Sequence, residues 1–196
     1  MPTNLVRLGM SVKVLAEHGE PYAIAGLGLS YNVPEGADMI PVADRLAHRP
    51  NGEAKFLESI CVWLDIRAPR FWWSQFDTYR VGVTKQSQST MHTLMKRLLT
   101  ADDFCGGVTE AAIAEVNAAI LQGDIEKAKA LLPEGFLQRR IVCTNYGALQ
   151  RIVRGRRGHR LPQWQEFCVS VLAQVKRPQW ISEQPSTEGG SDEGAA

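Results

Sequence analysis

Long apolar runs are missing from this chain of 196 residues. The N-terminal segment has none that would serve as a signal peptide or membrane span, so a soluble cytoplasmic protein is expected. Cysteine is sparse: four residues, Cys61, Cys105, Cys143 and Cys168, with no CxxC pair. They sit in apolar runs, which predicts reduced, buried thiols and excludes a zinc site or disulfide framework. The four histidines, His18, His48, His92 and His159, lack metal-ligand spacing, and no metal is expected. There is no glycine-rich phosphate loop, no GxSxG elbow and no internal repeat. Excess charge of either sign is also missing. A formal net charge of +1 argues against a general binder of nucleic acid or membrane.

What remains is ordinary for a globular protein: 44% hydrophobic and 22% charged residues, enough chain for one domain with a real core. Residues 1–177 read as that single domain. From Pro178 the composition turns acidic and low in complexity, which predicts a disordered tail over 178–196. Leu5 to Ala16 is strand-like. Tyr22 to Tyr31 reads as a buried helix, and Asp38 to His48 as a short amphipathic one. Leu57 to Ile66 alternates, with Ile60, Val62, Leu64 and Ile66 on one face and Cys61, Trp63 and Asp65 on the other. Both faces are largely apolar, so the strand should be central. Pro69 can open a helix carrying Phe71, Trp72 and Trp73, an aromatic group that fits a core or a subunit interface.

Thr78 to Thr90 is polar and rich in hydroxyls. Met91, Leu94, Met95 and Leu98 then give a helical stripe, with Ser89 or Thr90 as its cap. Thr109 and Asp124 should cap two further helices, reaching Gln122 and Leu132. Gln138 to Thr144 alternates as a strand. Pro162 starts a last helix whose stripe is Trp164, Phe167, Cys168, Val171, Leu172 and Val175.

Leu132 to Trp164 holds the densest basic cluster. With Asn145 at zero on a helical wheel of about 100° per residue, Leu149 falls near 40°, Ile152 near −20° and Arg156 near 20°. Asn145 and Arg156 thus bracket one apolar stripe, roughly 16 Å apart, while Arg154 faces the other way. An amide and a guanidinium directed inward need partners, and a bound anion or nucleotide is one. The helix dipole alone also favours arginine in a last turn, so a solvated cation satisfies the same geometry.

This stretch resembles part of the flavin-dependent thymidylate synthase family, the ThyX type. The elements that carry the likeness are Leu132-Pro133, Asn145 opening a helix, Arg156, and Gln163-Trp164. The gap from Arg156 to Gln163 is one residue longer than in the family, which leaves Arg156 and Arg157 as alternatives for one position. Lys129 stands four residues before the proline, where the family has arginine. The family signature R-H-R-x-x-S-x-N-E-x-S-x-R-Y corresponds in order to residues 79–92. Tyr79-Arg80-Val81 replaces the R-H-R, Thr84 the first serine, and Gln86-Ser87 the N-E. Ser89 keeps the second serine, and Met91-His92 replaces the R-Y. Arg80 is the one arginine left.

The resemblance spans about Ala54 to Phe167. It implies an α+β fold with a central β-sheet flanked by helices, and a homotetramer whose active sites draw on several subunits. It implies reductive methylation of dUMP to dTMP with FAD, NADPH and methylenetetrahydrofolate. Arg156 would bind the pyrimidine and stabilise charge on its carbonyl. Lys129, Ser89, Thr90, Gln88 and Arg157 would hold the nucleotide. Tyr79, Arg80, Gln86, Asn145 and Arg151 would contact flavin. Two alternatives stay open. One is a divergent enzyme that modifies another pyrimidine nucleotide. The other is a non-catalytic nucleic-acid-binding protein using Arg151 to Arg160 beside Trp164, disfavoured by the near-zero net charge.

Overall fold

A computed structural model describes residues 9–50 and 52–182. Among these residues four antiparallel strands form one sheet: β1 (Ser11–His18), β2 (Cys61–Pro69), β3 (Thr84–Ser87) and β4 (Leu137–Asn145), in the order β1-β2-β4-β3. β2 is central, as its two apolar faces predict. Its even-numbered residues Val62, Leu64 and Ile66 are fully buried with Val142 of β4. A bulge between Val14 and Ala16 puts Leu15 out of register, exposed to solvent.

Among the described residues eight α-helices surround the sheet: α1 (Glu20–Leu29), α2 (Ile40–Leu46), α3 (Arg70–Phe76), α4 (Thr90–Thr93), α5 (Glu110–Leu121), α6 (Ile125–Leu131), α7 (Tyr146–Arg156) and α8 (Pro162–Leu172). The α+β architecture is therefore the expected one. α3, α7 and α8 cover one face of the sheet. Trp72 and Trp73 of α3 and Trp164 and Phe167 of α8 are buried there with Leu149 and Ile152 of α7. Trp72 lies 4.7 Å from Trp164 and 4.9 Å from Trp73, centroid to centroid, so the aromatic group is core. A smaller cluster under α5 and α6 joins Val116, Ala119 and Ala128 to Leu94, Leu99 and Phe104.

Several local signals act as read. Thr109 accepts a hydrogen bond from the Ala112 N–H, and Asp124 from that of Lys127; each satisfies an orphan donor of a first turn. Others are overturned. The α1 helix is not buried: Tyr22 is 83% and Leu29 82% exposed, because the helix lies at the rim of an open cleft. The Met91–Leu98 stripe does not hold a helix. α4 ends at Thr93, Leu94–Lys96 is a 3-10 turn, and Arg97 is fully extended. Leu94 and Leu99 enter the smaller core, while Met91 and Leu98 face solvent. Ser89 precedes α4 but gives no side-chain cap; its carbonyl accepts from the Thr93 hydroxyl at 2.8 Å. Of the four thiols Cys61 is exposed, since it lies on the uncovered sheet face; Cys105 and Cys168 are buried. Burial pushes the Cys168 thiol up to about 11.

The boundary at Pro178 also falls too early. Pro178–Trp180 forms a 3-10 turn, Trp180 is fully buried, and its indole N–H donates to Asp44 Oδ1 at 2.6 Å. The expected tail beyond residue 182 and the start of the first strand run lie outside the described residues.

Extended Arg97 ends in a bidentate ion pair with the buried Asp103, whose carboxylate also accepts the Thr100 N–H at 2.9 Å. Burial by itself pushes the Asp103 carboxyl up. The hydrogen bonds from Arg97 and Thr100 and the charges of Arg97 and Arg67 outweigh it and hold the group below its ordinary 3.8. A lowered folded-state value stabilises the fold above the unfolded value and is lost as pH falls through the folded one. The wild type should therefore lose its stability advantage over Asp103→Asn only below about pH 3.8, read as urea midpoints across a pH series.

Candidate functional site

α7 begins where β4 ends. Asn145, the last residue of β4, is the N-cap of α7, and its Oδ1 accepts the Ala148 N–H at 2.8 Å. Its amide nitrogen faces the 79–82 turn. Gly82 there has φ +71°, and a Cβ on it would lie 2.9 Å from Asn145 Nδ2, so glycine is required on both counts. Thr144 fastens the same turn by donating its hydroxyl proton to the Gly82 carbonyl at 3.0 Å. Arg151, one turn or so along α7, donates to the Val81 carbonyl at 3.5 Å and pairs with Glu58 at 3.4 Å.

At the far end of α7, Arg156 is half-buried among aromatics. Its Nε donates to the Tyr79 hydroxyl at 2.8 Å. Its guanidinium carbon lies 4.7 Å from the Trp164 ring centre and 5.5 Å from that of Tyr79. Nη1 reaches Gln75 Oε1 at 3.5 Å, and the Trp164 indole N–H donates to the same oxygen at 2.8 Å. Gln75 therefore has its carbonyl fixed inward by two donors. Its amide N–H groups are what it can offer a ligand. Arg157 is the exposed C-cap residue, so Arg156 is the arginine turned toward Trp164.

A second charged group lies beneath this one. Asp77 accepts from Arg140 at 2.9 Å and from Lys85 at 3.1 Å, and Arg140 stacks on Trp73 at 4.3 Å. All of its polar atoms are used locally, and it ties the 76–85 segment to β4.

Tyr79, Asn145, Arg151 and Arg156 are thus brought together around α7 and the 79–82 turn. Arg80 is exposed beside them. Gln86 lies in β3 opposite Ile141, and the Gln88 N–H donates to the Arg139 carbonyl. Along β4 the span from Arg139 to Asn145 is roughly 20 Å at about 3.3 Å per residue. Gln88, Ser89 and Thr90 are accordingly set apart from Asn145. Lys129 is exposed on α6, against the smaller cluster. Within one chain, then, Tyr79, Arg80, Asn145, Arg151, Arg156 and Arg157 gather around α7, whereas Gln86, Gln88, Ser89 and Thr90 lie along and beyond β3, and Lys129 stands apart on α6.

Sequence reading missed two partners and a cleft. Gln75 follows the aromatic group of α3 by two residues, and nothing local ties it to Arg156. Glu58 and the cleft beside it gave no signal. That cleft, about 840 Å³, runs between α1 and the 3-10 turn Lys55–Ser59 and is lined by Tyr22, Tyr31, Lys55, Phe56, Glu58 and Ser59. Glu58 joins it to Arg151. Among the described residues no group of His, Cys, Asp and Glu could hold a metal, and no helix is long and apolar enough to cross a membrane.

The fold so assembled is that of the flavin-dependent thymidylate synthases. The ThyX protein of Helicobacter pylori, solved with FAD and dUMP, superposes at a TM-score of 0.75 over 88% of this chain and 98% of its own, at 13% identity. A second structure of ThyX from Helicobacter pylori, also with FAD and dUMP, gives 0.71 over 89% and 97%, at 15% identity. PolB of Streptomyces cacaoi, a UMP/dUMP methylase bound with 5-Br dUMP, gives 0.57 over 74% and 76%, at 16% identity. No family model and no curated protein sequence matches the chain.

Proposed function

We propose that the protein is a flavin-dependent enzyme that methylates a pyrimidine nucleotide, converting dUMP to dTMP with FAD, NADPH and methylenetetrahydrofolate. The observation that carries this is Arg156, half-buried at the end of α7 and held by Tyr79, Gln75 and Trp164, in a fold shared with enzymes solved with FAD and dUMP. A guanidinium packed on aromatic rings is poorly hydrated, and its charge acts strongly on a neighbouring group. It suits an oxygen on which negative charge develops, such as a pyrimidine carbonyl. Gln75, with its N–H groups free to point outward, supplies donors for the same edge.

The residues present fit a flavin dinucleotide. The cleft beside Glu58 offers two tyrosines and Lys55, and it adjoins Arg151, Asn145 and the 79–82 turn. Bound flavin would supply the hydride. Tyr79 departs from this scheme: its hydroxyl is engaged by Arg156, so it orients the arginine.

The separation of Gln88 from Asn145 along β4 supports a site shared between copies. So does the uncovered sheet face, where Leu15 and Trp63 are exposed and Ile141 and Cys143 half-buried. We assign this face to self-association in a homotetramer. The likeness to a UMP/dUMP methylase and the altered residues 79–92 favour one second reading, a related enzyme acting on UMP.

The test is the visible spectrum of purified protein loaded with FAD and freed of excess, followed by turnover of dUMP and UMP with the full cofactor set. Retained oxidised-flavin bands and dTMP formation are expected. Turnover of UMP alone would move the substrate to the second reading, and absence of flavin binding and turnover would remove the enzyme assignment.

A further inference from the structure

The last described residues are fastened to the middle of α7. Trp180 is buried, and its carbonyl accepts from Gln150 Nε2 at 2.9 Å. The Gln179 carbonyl lies 2.7 Å from His48 Nε2. Ile181 is buried, and the Ser182 N–H donates to the Pro178 carbonyl at 2.9 Å. Whatever follows Ser182 therefore starts from a fixed point beside Gln150.

The same face of α7 continues as a row of cations. With Gln150 at zero on a helical wheel of about 100° per residue, Arg154 falls near 40° and Arg157 near −20°. Arg157 keeps helical geometry at the C-cap, so the wheel reaches it. Both arginines are exposed, as are Arg151 beside the row and Arg160 beyond it. At about 1.5 Å per residue, Arg154 and Arg157 follow Gln150 by roughly 6 and roughly 10 Å along the helix axis. Arg156 falls near −120°, on the other side of the helix, at the same rotation per residue of about 100°. Between residues 146 and 165 the chain has five arginines and no aspartate or glutamate. The negative end of the helix dipole opposes an acidic ligand here, but it amounts to only about half a charge.

Residues 183–196 have the opposite character. They carry Glu183, Glu188, Asp192 and Glu193 and no lysine, arginine or histidine. A glycine- and serine-rich chain of that length spans roughly 20 Å root-mean-square, which covers the distance to both arginines. Attachment so near the row gives an effective concentration on the order of millimolar. A nucleic acid lacks that advantage. It also finds no base-stacking ring in the row, since the nearby Trp164 is fully buried.

We infer that residues 183–196 dock through their carboxylates on the row of Arg154 and Arg157 and shield it from other polyanions. The contact is independent of the enzyme reading, because Arg156 points away from the row.

The experiment uses a fluorescein-labelled peptide of residues 183–196 and follows its anisotropy with full-length proteins. One is the wild type. The second has Glu183→Gln, Glu188→Gln, Asp192→Asn and Glu193→Gln, which empties the row without touching a described residue. The third adds Arg154→Gln and Arg157→Gln to the second. A fourth adds Lys96→Gln and Lys127→Gln instead, the same change in charge placed elsewhere on the surface. The peptide should bind the second and fourth proteins, and the wild type at least about tenfold more weakly, because the attached segment competes. The third should lose the binding. Raising salt from about 0.01 to about 0.15 M, which shortens the screening length from roughly 30 to roughly 8 Å, should weaken what binds. Equal binding to wild type and second protein overturns the proposal, as does equal binding to the third and fourth. A labelled oligothymidylate that binds the wild type as tightly as the second protein shows a row open to nucleic acid and overturns it too.

Discussion

Arg156→Ala is expected to lower kcat for dTMP formation by on the order of 100- to 1,000-fold, the loss that follows removal of one donor from a charge-stabilising site. Arg156 stacks on Trp164 and Tyr79 and donates to Tyr79 and Gln75, so its guanidinium is placed by three side chains. The substitution leaves the stripe of Leu149, Ile152 and Val153 in place, and those residues hold α7 to the core. Thermal stability should therefore change little while turnover collapses. Arg156→Lys should not restore activity, because an ammonium cannot reproduce the planar stack or the fork. Tyr79→Phe separates position from charge: it keeps a ring beside the guanidinium and removes the hydroxyl that accepts from Nε. A smaller loss is expected there, in kcat more than in KM. Steady-state kinetics on the three variants decides the matter, and an Arg156→Ala enzyme as fast as wild type would take Arg156 out of the mechanism.

Trp180→Ala should cost roughly 3–5 kcal/mol, the usual range for deleting a buried aromatic. Against a total of about 5–15 kcal/mol this is a large share. Trp180 is fully buried, packs edge-on against Phe56 at 5.4 Å and Tyr146 at 6.3 Å, and donates to Asp44. Its carbonyl accepts from Gln150, which also bonds to the Ala47 carbonyl and His48. The residue thus closes α2 onto α7. A fall in melting temperature of roughly 6–20 °C follows for a chain of this size. A chain ended after Arg177 should fall at least as far. Unchanged melting of that truncated chain would show that the 178–182 segment contributes nothing to the core.

The elements legible in the sequence are those whose cause is local. Alternation of Ile60, Val62, Leu64 and Ile66 specified a strand because every second side chain of a strand shares a face. Thr109 and Asp124 specified helix starts because a short oxygen-bearing side chain satisfies an orphan N–H three residues on; the same capping role of Asn145, read instead as an inward amide on the stripe, came from the structure. The stripe from Asn145 to Arg156 placed α7 and its last-turn arginine correctly, and it made the resemblance to the flavin-dependent thymidylate synthases readable. Where the same local logic failed, tertiary packing competed with it. The Met91–Leu98 stripe fits a helix, but Leu94 and Leu99 are drawn into the smaller core and Arg97 is pulled straight by Asp103. The apolar α1 reads as buried, but its apolar side chains border a cleft.

By itself, then, the sequence determined the α+β composition, the central strand, the span of α7 and the arginine at its end. Only the tertiary structure decided which partners those side chains meet. Gln75 reaches Trp164 across 89 residues, Arg151 reaches Glu58 across 93, and Trp180 reaches Asp44 across 136. Hydrophobic period and capping act within a few residues and leave their mark in local order. Pairing of charges and amides between distant segments depends on how helices and sheet pack, and no short stretch of sequence encodes it.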